Sequence, residues 1–106
     1  MNSFKDIVAS DLHQLMTQAD ILLVDVRNHE EVIRGRIEHS VHIPLNTLAE
    51  NYHLLENKEH VVFYCHSGIR SAIAADFAVS KDIDIKNVYN LQGGVIAWAN
   101  AGYAFV

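Results

Sequence analysis

Two apolar runs that each stop at a reactive side chain constrain this sequence more than any other feature in it. Residues 21–24 (Ile-Leu-Leu-Val) end at Asp25, and residues 61–64 (Val-Val-Phe-Tyr) end at Cys65. Each run has the length of a strand without polar alternation, which suits strands buried on both faces of a parallel sheet. Helical periodicity fills the spaces between. Ser10 is placed as the N-cap of a helix with Leu12, Leu15 and Met16 on one face. Residues 28–33 read as one or two turns closed by Gly35, and residues 45–55, after Pro44, as a helix carrying Leu48, Tyr52 and Leu55. Beyond Cys65, Ile69, Ile73 and Phe77 recur at i, i+4 and i+8, while Ala72, Ala74, Ala75 and Ala78 allow close packing on the sheet. Shorter strands are expected at 4–7, 40–43 and 87–91, and Gly93-Gly94 turns into a last helix with Ile96, Ala97 and Trp98. The expectation is an α/β domain: a mainly parallel five-stranded sheet with helices on both faces.

At 106 residues the chain is expected to be one domain, because half of it could not enclose a core. A formal charge of −5 argues against general affinity for nucleic acid or an anionic membrane, so any anion site must be local. No signal peptide is readable at the start, and the apolar run at 95–99 is far too short to span a bilayer. One cysteine cannot form an internal disulfide, which fits a reducing compartment, and a cytoplasmic location is expected. No apolar helix stripe reads as exposed, so a monomer is expected.

Carboxyl ends of parallel strands are where such sheets do chemistry, so Asp25 and Cys65 should open onto one edge. The run Cys65-His66-Ser67-Gly68-Ile69-Arg70-Ser71 then joins strand to helix. Amides at a helix start have no helical partners and can turn inward around a sulfur. Gly68 permits the positive φ such a cradle needs, Arg70 adds a cation, and the Ser67 or Ser71 hydroxyl can donate. Helix dipole and guanidinium both favour thiolate over thiol. The plainer alternative is an inert buried thiol beside an ordinary turn.

In full, Cys65, Ser67, Gly68, Arg70 and Ser71 give Cys-x-Ser-Gly-x-Arg-Ser, which resembles the active-site loop of the rhodanese sulfurtransferases. Asp25-Val26-Arg27 with Glu31, the segment from Gly35-Arg36-Ile37 to Ile43-Pro44, and the stretch from Leu91 to Trp98 with Ala101-Gly102-Tyr103 resemble three further blocks of that family, in order. The likeness covers about residues 17–105. It departs at Arg36, where the family has His, at Glu38-His39-Ser40 for Pro-Gly-Ala, and at Ala104 for Pro.

This resemblance implies a single rhodanese-like domain that moves sulfane sulfur from thiosulfate or a similar donor to cyanide or a thiol through a Cys65 persulfide. Cys65 and Arg70 are then catalytic, Arg70 positioning a dianionic donor or locking the loop. His66, Ser67, Gly68, Ile69 and Ser71 form the persulfide-binding loop, and Asp25 and Arg27 support it. The related phosphatases have five residues between Cys and Arg. Here there are four, a tighter bowl that suits one extra sulfur. Other readings are a persulfide carrier serving a protein partner and a non-catalytic binding module. No cofactor is implied.

Seven histidines raise the question of a metal, but His39 and His42 fall where successive residues alternate faces, and surface histidines are the simpler reading. His66 either tunes the thiolate or faces solvent. Arg27 and Glu31 are also spaced as an ordinary i, i+4 surface pair. Trp98 reads as a core anchor.

Overall fold

Five successive residues at the centre of the molecule decide its layering. Val61, Phe63 and Cys65 join one buried cluster, and Val62 and Tyr64 join the other, as the two-residue period of a strand requires. All five are fully buried. In the computed structural model, which describes residues 3–106, the first four close the central strand of a five-stranded parallel sheet and Cys65 follows it. In chain order the elements are β1 (Lys5–Ile7), α1 (Ala9–Gln18), β2 (Leu22–Asp25), α2 (His29–Val32), β3 (Val41–His42), α3 (Leu48–Asn51), β4 (Lys58–Tyr64), α4 (Ile69–Ser80), β5 (Ile85–Leu91) and α5 (Gly94–Asn100). The strands lie in the order β1-β5-β4-β2-β3. One face of β4 packs on α4 and the α3 region through Ala74, Ala75, Ala78, Leu48 and Leu55; the other packs on α1 and α5 through Leu12 and Trp98.

Register brings Asp25 opposite Tyr64, so the two strands that end in reactive residues run out side by side. From there the chain leaves β2 toward β3 on one side and β4 toward β5 on the other. Cys65 follows at that divergence, where open α/β sheets form their crevices.

Several local expectations are corrected. Ser10 is not the N-cap: α1 starts at Ala9 behind an extended Val8, because the Leu12 amide already bonds the Val8 carbonyl at 3.0 Å. No continuous helix spans 45–55. That segment is 3₁₀ over Leu45–Thr47, α over Leu48–Asn51 and 3₁₀ again over Tyr52–Leu55. Thr47 Oγ1 donates to the Pro44 carbonyl at 3.0 Å and Asn51 Nδ2 to that of Thr47 at 2.9 Å, side-chain bonds that compete with a regular ladder. β4 and β5 are longer than the apolar runs that announced them, because the ladder continues through polar positions, Lys58 opposite Ile85 and His60 opposite Asn87.

The largest correction concerns α4. Its buried stripe is Ser71, Ala74, Ala75 and Ala78, whereas Ile69 is 71% and Ile73 56% exposed. Small side chains win the core face because the helix lies close on β4 and β5. The expected absence of an exposed apolar stripe is thereby overturned, along with the ground given for a monomer.

Candidate active site

Gly68 makes the cradle. As the residue before α4 it sits at φ +104°, a left-handed conformation costly to any side chain, and this turns its amide inward. The Gly68 N–H donates to Cys65 Sγ at 3.2 Å and the Ser71 N–H at 3.3 Å, while Ser71 Oγ lies 3.3 Å from the same sulfur. The positive end of α4 points at this group. Burial pushes the Cys65 thiol up, but the hydrogen bonds the loop offers, those of the Ser71, Gly68 and Ser67 amides among them, outweigh it and hold the thiol below its ordinary value.

The loop is pinned from behind by α5. Val95 N–H donates to the Cys65 carbonyl at 2.9 Å and Ile96 N–H to that of His66 at 3.2 Å. So close an approach needs Gly94. A Cβ there would stand 2.6 Å from the His66 carbonyl oxygen and nearer still to that of Cys65.

Arg70 and Glu31 form a fork-to-fork pair, Nη1 to Oε1 at 2.7 Å and Nη2 to Oε2 at 2.8 Å. Arg70 thus reaches back to α2, and its pairing holds the Glu31 carboxyl down at about 2. Glu31 Oε1 also accepts the Asn28 amide at 3.0 Å, closing the capping box of α2. The expected Arg27–Glu31 surface pair does not form. Arg27 is buried against Asp25 instead, with Nη2 to Oδ2 at 2.8 Å, Nε to Oδ1 at 3.0 Å and its own amide to Oδ1 at 2.9 Å. Its Nη2 also donates to the Gly35 carbonyl at 2.7 Å. Asp25 and Arg27 therefore lock the exit of β2 to Gly35, and no hydrogen bond joins them to the loop.

His66 and Ser67 face solvent, and Ile69 stands exposed at the start of α4. A cleft of about 420 Å³ beside the loop is lined by Arg27, Glu31, Arg34, His66, Val95 and Phe105. His39 is exposed beside Glu38, and the His42 ring nitrogen Nε2 donates to the Arg27 carbonyl at 2.7 Å, so the two serve separate structural ends. Among the described residues no cluster of three His, Cys, Asp or Glu is arranged to hold a metal, and no helix is long and apolar enough to cross a membrane.

One participant went unnoticed in the sequence. Asn90, buried in β5, accepts the Ser71 hydroxyl through Oδ1, and its Nδ2 donates to the Gly68 carbonyl at 3.3 Å. A polar side chain in an otherwise apolar strand end was the available signal, since buried amides are hydrogen-bonded to something.

Fold and cradle together define a domain built around one thiol at the junction of a parallel strand and a helix. The chain matches the rhodanese-like domain over residues 8–101 and belongs to that family. The tRNA uridine(34) hydroxylase of Photorhabdus laumondii is 33% identical over 97 residues, 86% of this chain but only 27% of that protein. A rhodanese-related protein from Thermoplasma volcanium is 32% identical with a TM-score of 0.82, covering 97% of this chain and 98% of that one. A Rhodopseudomonas palustris protein of unknown function, described as a possible tyrosine phosphatase, is 28% identical with a TM-score of 0.86 over 97% of this chain and 85% of its own.

Proposed function

We propose that Cys65 takes a sulfane sulfur from thiosulfate or a similar donor and passes it to a thiophilic acceptor such as cyanide or a thiol. The carrying observation is a buried sulfur with two backbone donors, Gly68 and Ser71, at the start of a twelve-residue helix. The thiolate attacks the outer sulfur of thiosulfate; a new S–S bond forms, the old one breaks, and sulfite leaves with its electron pair. The acceptor then attacks the outer sulfur of the persulfide, and Cys65 departs as thiolate. This is two-step covalent catalysis in which preorganised amides hold the charge. In this reading Arg70 locks the loop through Glu31, and Asp25 with Arg27 fixes the neighbouring strand end.

Incubation with thiosulfate should raise the intact mass by one sulfur, and cyanide should remove it. Because Cys65 is the chain's sole cysteine, Cys65→Ala should show no adduct. An unchanged wild-type mass, or an adduct on the variant, would overturn the proposal. The four-residue spacing from Cys65 to Arg70, and the commitment of Arg70 to Glu31, weigh against phosphoryl transfer.

The relatives named for tRNA favour a second reading, in which this domain serves a tRNA-modifying reaction. That reading stands against the expectation, drawn from the acidic charge, that nucleic acid is not a partner. A gel-shift titration with tRNA decides it: binding that persists at physiological salt favours the second reading, and none removes it.

A further inference from the structure

Asn90 lies between the loop and the edge of the sheet, in register with Asp6 of β1 and Phe63 of β4, and is 5% exposed. Its amide has a fixed sense. One end faces two acceptors, Asp6 Oδ1 at 3.1 Å and the Gly68 carbonyl at 3.3 Å, so that end is the NH₂. The other end is therefore the oxygen, and it faces the Ser71 hydroxyl. A hydroxyl has one proton, and this one is directed to Asn90. The 3.3 Å contact between Ser71 Oγ and Cys65 Sγ is then complete only while sulfur itself is the donor.

We propose that Asn90 is a positioning residue for Cys65: by holding the proton of the Ser71 hydroxyl, it sets how readily the thiol ionises. In the thiol form the chain of donors runs Cys65 S–H to Ser71 Oγ, then Ser71 O–H to Asn90 Oδ1. When the thiol proton leaves to solvent, the hydroxyl has two choices. It stays on Asn90 and turns a lone pair to the thiolate, or it rotates to sulfur and leaves Oδ1 unpaired in a buried site. Either outcome costs one hydrogen bond, so Asn90 restrains ionisation while the Gly68 and Ser71 amides promote it. The charged and titratable groups around this centre are Arg70 on α4, Glu31 on α2, Asp25 at the end of β2 and Arg27 beyond it, Asp6 on β1 and His66 in the loop; all stay in place in the variants below.

The meaning of this device rests on the proposed use of Cys65 as the attacking thiolate, but its test does not. The sole thiolate of the chain is followed by its ultraviolet absorbance against pH. Asn90→Leu, which keeps the branching at Cγ, leaves Ser71 no partner but sulfur. Roughly three- to tenfold more thiolate at a given pH on the acid limb is expected, the value of one neutral hydrogen bond. The same substitution in a Ser71→Ala background should change nothing, a result that a merely structural role for Asn90 would not give. Asn90→Ala is read in the same way should leucine disturb the fold. No gain in thiolate, or an equal gain with and without Ser71, overturns the proposal. A protein that titrates as expected yet takes up no sulfur would end the sulfur-transfer reading and leave this one standing.

Discussion

Glu31 is the residue on which α2 and the loop both depend, although its side chain is 31% exposed. Its two oxygens accept three N–H groups, two from Arg70 and one from the Asn28 amide. The Arg70 bonds hold the carboxyl at about 2, well below its unfolded value, so its stabilisation is complete above the ordinary carboxylate range and lost as pH falls toward 2. Partial exposure discounts the Coulomb part, and Glu31→Gln should cost about 1 kcal/mol at neutral pH. Urea denaturation near neutrality and again near pH 2 should show the gap between wild type and variant closing in acid; a gap of constant size would refute the assignment. Both residues are plain in the sequence. Their meeting across 39 positions is not, because i, i+4 spacing offered Glu31 a nearer partner in Arg27 and nothing local revealed that Arg27 was already claimed by Asp25.

At the scale of elements, α4 shows which side of a helix a sheet selects. Ser71, Ala74, Ala75 and Ala78 follow the i, i+3, i+4, i+7 rhythm of a core stripe; the alanines were legible as close-packing positions, whereas the larger Ile69 and Ile73 turn to solvent and Phe77 is half-buried. Apolar size alone does not decide which side chain is buried. Ala75→Leu should therefore cost about 1–3 kcal/mol by overpacking, whereas Ile73→Ser should stay within about 0.5 kcal/mol, both read from chemical denaturation midpoints. The opposite ranking would show that the isoleucine face is covered. The strands were legible as far as their apolar cores extended, since burial on both faces leaves an unbroken run. Their polar beginnings were not, because Lys58-Glu59-His60 is held by ladder hydrogen bonds, which any side chain permits. The breaks within 45–55 escaped for the same reason: Thr47 and Asn51 act through carbonyls that sequence periodicity does not register.

For the whole molecule, strand order matters more than any one contact. Strand β1, the first made, pairs with β5, nearly the last, and β5 lies between it and the centre of the sheet. The thiol in the middle of the chain takes its setting from both ends. Gly68 and Ser71 come immediately after it, but Asn90 and the Gly94 turn that pins the loop are among the final elements. This gives the site a timetable during synthesis. A ribosome that has released β4 and α4 has exposed Cys65 without the β5 and α5 backing that holds the Gly68 and Ser71 donors around it, and non-local pairing of this kind closes late. Stalled nascent chains of increasing length should therefore be alkylated at Cys65 with the pH dependence of an ordinary thiol until α5 has emerged. A shift to lower pH in shorter chains would contradict this. The reactive sulfur is thus expected to be born quiet, gaining its chemistry only when the polypeptide is almost finished.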